Sequence, residues 1–130
     1  VAAQPIAGAA KVPSLGAFTG ASFLRNPKLD NVINVRASYD LETEAWVKHP
    51  TEDLKIWKIA IFYQDDAFGS AGLSGFRKAM QKRGLPIAAE GTYERNTTAI
   101  KTALLALPKA APEAVVMVGA YQPSAELSAN

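Results

Sequence analysis

Two aspartates, Asp65-Asp66, stand where the apolar run Ile59 to Tyr63 ends, and a glycine-spaced stretch follows at once. A carboxylate pair at a strand end can hold Mg²⁺, as in phosphate-accepting receiver domains. That chemistry needs a further carboxylate on a neighbouring strand end and a lysine on another. The neighbouring ends offer Tyr93-Glu94 and Gly119-Ala120-Tyr121, so the phospho-acceptor aspartate and the lysine are missing. One aspartate is better read as the cap of the following helix, where it complements the positive end of the helix dipole. Gly69, Gly72 and Gly75 are spaced G-x-x-G-x-x-G, not G-x-G-x-x-G, and no phosphate-binding lysine follows. They fit the first turns of a helix that packs closely on a sheet. His49 is the only histidine and there is no cysteine, so a transition-metal site is not assembled. No serine lies in G-x-S-x-G or has a partner for a triad. The chain carries no catalytic constellation, and neither a cofactor nor a metal is implied.

What remains suits the holding of a small polar ligand. Phe18-Thr19-Gly20-Ala21-Ser22 follows a strand and opens a short helix. Its backbone N–H groups and two hydroxyls can receive a carboxylate. The alternative is that Thr19 and Ser22 only cap that helix. Phe68 and Tyr121 stand at two further strand ends, and aromatic walls with a few polar groups describe a small-molecule cleft.

The elements that must position these residues follow from pattern. Residues 1–10 read as the end of a helix with Pro5 inside it. Residues 12–18 and 32–37 read as strands, with a short helix over 21–25 between them. Ser38 or Asp40 caps a helix through Trp46 and Val47, which Pro50 limits. A loop over 51–56 leads to a strand at 58–63 and a helix from about 67 to 83, closed by Gly84. Residues 87–93 form a weaker strand broken by Gly91. Asn96 or Thr97 then caps a helix with an inner face of Ile100, Ala103, Leu104 and Leu107, and Pro108 and Pro112 bracket its end. Ala114 to Val118 is the last strand, and Ser124 caps a final helix. The alternation after residue 38 predicts an α/β fold: a three-layer, doubly wound, mainly parallel sheet. In such sheets ligands bind beyond the carboxyl ends of the strands.

Composition limits the function classes. The 130 residues carry 14 basic and 12 acidic side chains, a net charge of +2. The densest basic group, Arg77, Lys78, Lys82 and Arg83, lies on one helix and reads as a solvated face. No aromatics interleave with it, so no nucleic-acid surface is expected. No run of 18 apolar residues exists to span a bilayer. Val1 to Ala10 lacks the basic start of a complete signal peptide.

Several segments occur together in one order: Val12-Pro13, Phe18-Thr19-Gly20-Ala21, Leu24-Arg25, Asn34-Val-Arg-Ala-Ser-Tyr39, Glu42, Ile59 to Gly69, Gly91 to Thr97, and Val115 to Ala120. This set resembles the type I periplasmic binding proteins of the branched-chain amino acid (Leu/Ile/Val) transporter class. The resemblance implies a solute-binding component that captures an amino acid or related small carboxylate between two α/β lobes. It would deliver that ligand to an ABC permease and work in the periplasm or outside the cell. Residues 1–38 would close the first lobe, and residues 39–130 would form the first half of the second. Thr19-Gly20-Ala21-Ser22 matches the turn that receives the ligand's carboxylate and amino group. Phe68 and Tyr121 match second-lobe contacts, and the phenylalanine lacks the hydroxyl often found at that position. The chain is well under half a family member, so one copy would not complete a cleft. Exposed strand edges would then favour either a rearranged five-stranded domain or a homodimer that exchanges elements. The same fold also serves as the sensor domain of receptors and transcriptional regulators, which is the alternative reading.

Overall fold

The computed structural model describes residues 3–130; residues 1 and 2 of the expected N-terminal helix lie outside the described part. The remainder of that helix is α1, Ala3–Ala9. β1 (Ser14–Leu15) and β2 (Val32–Ile33) pair in parallel, with Ser14 opposite Val32. A 3₁₀ turn at Ser22–Arg25 lies between them. Both strands are shorter than their apolar runs suggest. Gly16, at φ 59°, ends β1. Beyond β2 the chain leaves the ladder and is fastened by side-chain hydrogen bonds. Asn34 Nδ2 donates to Leu24 O, and Arg25 Nη2 donates to the carbonyls of Arg36 and Ala37.

The second sheet has the order β4-β3-β5 and is wholly parallel. The five strands thus divide into a pair and a triplet, not into one rearranged five-stranded sheet. β3 (Ile59–Gln64) is central, flanked by β4 (Glu90–Tyr93) and β5 (Ala114–Val118). Alternate side chains of a strand point to opposite faces. Ile59 and Ile61 therefore meet Val47 of α2 (Tyr39–Lys48) and Leu73, Phe76 and Met80 of α3 (Ala67–Lys82). On the other face Ala60 and Phe62 meet Ala103 and Leu107 of α4 (Lys101–Lys109), and Leu127 of α5 (Tyr121–Ala129) packs against the same cluster. Helices on both faces make the three layers of a doubly wound α/β sheet. No helix among the described residues is long and apolar enough to cross a membrane.

Local signals explain most boundaries. Ser38 caps α2 by accepting the Leu41 N–H. Asp66 caps α3 by accepting the N–H groups of Phe68 and Gly69. Gly84, at φ 65°, follows the end of α3.

Four local expectations are corrected. Pro50 does not end its helix: the backbone widens into a π-helical turn, His49–Asp53, where a loop was expected. Proline has no N–H for the α pattern, and the Leu54 N–H reaches back to His49 O. Gly91 does not break β4; a Cβ there would stand 2.9 Å from Ala103 Cβ, so its absence lets α4 close on the strand. Thr97 and Asn96 do not cap α4, whose N-cap is Ile100, and Pro108 lies inside that helix. Thr97 instead closes a turn to Glu94 O. Ser124 lies within α5, and its N–H bonds Ala120 O.

The basic face of α3 is paired rather than simply solvated. Arg77 meets Glu90, Lys78 meets Asp40, and Lys82 and Arg83 meet Glu44. These pairs bind α3 to α2 and β4 and leave no open cationic stripe.

Candidate functional site

The Phe18–Ser22 turn sits against the start of α2. The Tyr39 N–H donates to Gly20 O at 2.7 Å. Thr19 Oγ1 donates to the Tyr39 hydroxyl at 3.2 Å and accepts the Ala21 N–H at 3.2 Å. Gly20 is required here, because a Cβ would fall 2.5 Å from the Tyr39 ring. The same ring meets Phe68 edge-on, with centroids 5.7 Å apart at 75°. Tyr39 therefore joins two of the segments expected to hold ligand.

Arg36 completes this corner. Its guanidinium pairs with Glu42 and donates to Phe18 O at 2.8 Å. It also lies 5.5 Å from the Phe18 centroid and 5.6 Å from that of Tyr39, within cation–π range. The hydrogen bond to Glu42 raises the pKa of Arg36 further and so keeps its charge fixed. A cavity of about 250 Å³ opens among Phe18, Arg36, Tyr39, Trp46, Phe68 and Met117.

A larger, more polar cavity of about 750 Å³ lies beyond the carboxyl ends of the triplet sheet, lined by Gln64, Tyr93, Asn96, Thr97, Thr98 and Gln122 among others. Its floor is one hydrogen-bonded chain. The Ala120 N–H donates to the Tyr93 hydroxyl, which donates to Gln64 Oε1; Gln64 Nε2 donates to Asp66 Oδ2 at 2.6 Å. Burial pushes the Asp66 carboxyl up, but the Gly69 N–H, the Gln64 amide and the Phe68 N–H together hold it below its ordinary value. Asp66 is thus a charged cap, as expected of one member of the aspartate pair.

Of the expected site residues, Phe18, Thr19, Gly20 and Phe68 gather around Tyr39. Ala21 is buried behind the turn and Ser22 is exposed. Tyr121 stands 80% exposed and lines neither cavity. Tyr39, Arg36, Gln64 and Tyr93 were not singled out from the sequence. Arg36 and Tyr39 had a signal only within the run Asn34 to Tyr39. Gln64 had one as the polar residue that ends a buried strand.

A family model described as periplasmic binding protein matches residues 1–129. Among solved structures the chain is similar to a possible leucine/isoleucine/valine-binding protein from Rhodopirellula baltica SH 1, with 38% identity and a TM-score of 0.86 over 96% of this chain and 35% of that one. It is also similar to a substrate-binding periplasmic protein from Ralstonia solanacearum, with 26% identity and a TM-score of 0.82 over 97% of this chain and 35% of the other. A branched chain amino acid ABC transporter protein from Thermus thermophilus, solved with bound valine, shares the fold at 23% identity and a TM-score of 0.78, over 95% of this chain and 32% of that one. No curated protein matches the chain. The chain spans about a third of the length of these solved relatives. The match over almost every residue, on a parallel sheet with its polar groups gathered at the carboxyl end, places the chain in the periplasmic binding protein family.

Proposed function

We propose that this chain carries part of the binding site for an amino acid or related small carboxylate, in a protein that hands its ligand to an ABC permease from the periplasm or the cell exterior. The observation that carries this reading is the meeting of Thr19 and Phe68 on one tyrosine, Tyr39. It sets a turn rich in N–H groups beside an aromatic wall, a combination that suits a carboxylate joined to an apolar body. The similarity to a possible leucine/isoleucine/valine-binding protein supports the same class of ligand. Residues 1–38 belong, in this reading, to the end of a first lobe, and residues 39–130 to the start of a second. The role is binding, without catalysis.

The test is a thermal-shift panel of L-leucine, L-valine and small aromatic carboxylates on the purified chain. A ligand at about 100 times its dissociation constant adds roughly 2.7 kcal/mol to stability. A shift confined to one chemical class supports the reading. A folded sample that responds to nothing in the panel overturns it for this chain. We further propose that the free edges of the isolated β1-β2 pair permit a second copy to associate. Light scattering that gives only monomer at high concentration rejects this.

A further inference from the structure

We propose that Arg36 and Arg25 are positioning residues that set the donors of the Phe18–Ser22 turn, a proposal that rests on reading this turn as the seat of a carboxylate. A trans peptide is planar, so fixing a C=O on one side sends the next residue's N–H to the other. Arg36 Nη1 holds Phe18 O at 2.8 Å and thereby aims the Thr19 N–H. Arg25 Nη1 holds Ala21 O at 3.0 Å and aims the Ser22 N–H. Between them the Tyr39 N–H holds Gly20 O, and the Ala21 N–H is taken by Thr19 Oγ1. The carbonyls of Phe18, Gly20 and Ala21 are therefore all tied back. Among the described residues, the N–H groups of Thr19, Gly20 and Ser22 have no hydrogen-bond acceptor, and those of Thr19 and Ser22 are the two that follow a carbonyl held by an arginine.

Both arginines are themselves braced. Arg36 Nε donates to Glu42 at 3.1 Å, and its guanidinium rests over the rings of Phe18 and Tyr39. Arg25 Nη2 spans the carbonyls of Arg36 and Ala37, at 3.0 Å each. Arg25 thus ties the turn to the segment entering α2 and, among the described residues, bonds only carbonyls. Its uncompensated charge sits behind the donors, where it favours an anion in front of them. Two fixed N–H groups backed by a positive charge form a preorganised anion seat, which needs little rearrangement when a carboxylate arrives.

Amide NMR of the protein, titrated with sodium acetate against sodium chloride, tests this residue by residue. In the unaltered protein, acetate but not chloride shifts the Thr19 and Ser22 N–H signals saturably. Arg36→Gln weakens the response at Thr19 roughly tenfold and largely spares Ser22; Arg25→Gln does the reverse. Arg36→Lys, which keeps the charge and one donor, restores part of the Thr19 response. The proposal is overturned if either glutamine variant responds as the unaltered protein does. It is equally overturned if both signals fall together while Phe62 and Val116 in the sheet also move, since that marks a general structural role. Should a glutamine variant not fold, Arg36→Lys and Arg25→Lys are judged by the same residue-by-residue criterion. An unaltered protein with no saturable acetate response overturns the carboxylate reading itself.

Discussion

The Tyr93 hydroxyl lies 3.0 Å from Gln64 Oε1, to which it donates, while accepting the Ala120 N–H at 2.7 Å. One phenol thus ties together the ends of all three strands of the larger sheet. The Tyr93 ring also stacks on Phe62, with centroids 5.1 Å apart. Tyr93→Phe keeps that stack and removes the hydroxyl, leaving the Ala120 N–H and Gln64 Oε1 without their partner. An unsatisfied buried polar group costs about 1–3 kcal/mol. Urea unfolding is expected to show a loss in that range with an unchanged slope. A loss under about 0.5 kcal/mol, the range of a neutral surface change, would mean that water replaces the hydroxyl freely.

The glycines of α3 separate two kinds of close approach. A Cβ on Gly69 would lie 1.9 Å from Gln64 O, a backbone atom that cannot step aside. A Cβ on Gly72 would meet Val118 Cγ1 at 2.5 Å, a side-chain methyl able to shift. Gly69→Ala is expected to cost about 3 kcal/mol or more, at the upper end of overpacking. Gly72→Ala is expected to cost about 1 kcal/mol, because gained helix propensity offsets part of the clash. Equal losses in thermal unfolding would contradict this reading of the helix–sheet contact.

These contacts show why some of the molecule is legible from sequence and some is not. β3 and α3 are written locally: an apolar run, a capping aspartate two residues past the strand, and a glycine after the last turn. Val32 to Ala37 carries the same apolar character as a true strand. The carbonyls of Arg36 and Ala37 are drawn off by Arg25, and propensity holds no record of that. The π turn at Pro50 is similar, since a proline predicts a break but not that the helix will widen around it. The site is the least local part. Thr19 and Tyr39 are 20 residues apart and Tyr93 and Gln64 are 29 apart, so no window of sequence contains either pair. Tyr121 is 80% exposed and Phe18 is 90% exposed, so neither residue's neighbours could be read from its type and strand-end position. The position of a residue in a βα turn is readable from sequence; the direction its side chain takes is settled by tertiary packing.

Phe68 is 38% exposed and meets Tyr39 edge-on, so its removal should affect binding more than folding. Phe68→Ala is expected to cost about 1–2 kcal/mol of stability, well below a fully buried phenylalanine. The same variant should weaken binding of an apolar amino acid roughly tenfold, in line with loss of one aromatic wall. Phe68→Tyr should leave stability within about 0.5 kcal/mol and restore a hydroxyl beside the turn. Calorimetric titration with L-leucine compares the three proteins. Unchanged affinity in Phe68→Ala would remove Phe68 from the site.

Glu44 joins α2 to α3 by accepting from Lys82 Nζ and Arg83 Nη2, both at 2.9 Å, and Arg83 also reaches Glu52 at 3.0 Å. The hydrogen bond from Arg83, then that from Lys82, lowers the Glu44 carboxyl from 4.5 to about 2. A carboxyl whose pKa is lower in the folded state stabilises the fold fully above its unfolded value. That contribution disappears as pH falls through the folded value. The window for Glu44 therefore runs from about pH 4.5 down to about pH 2. Its side chain is 27% exposed, so solvent screening limits the worth of these pairs to about 1 kcal/mol. Glu44→Gln should be less stable than the unaltered protein by about that amount at pH 7, with the difference closing as pH falls through the window. Urea unfolding of both proteins at pH 7, 4.5 and 3 measures it. A gap that stays constant across those three values would place the stabilising charge elsewhere in the α2–α3 contact.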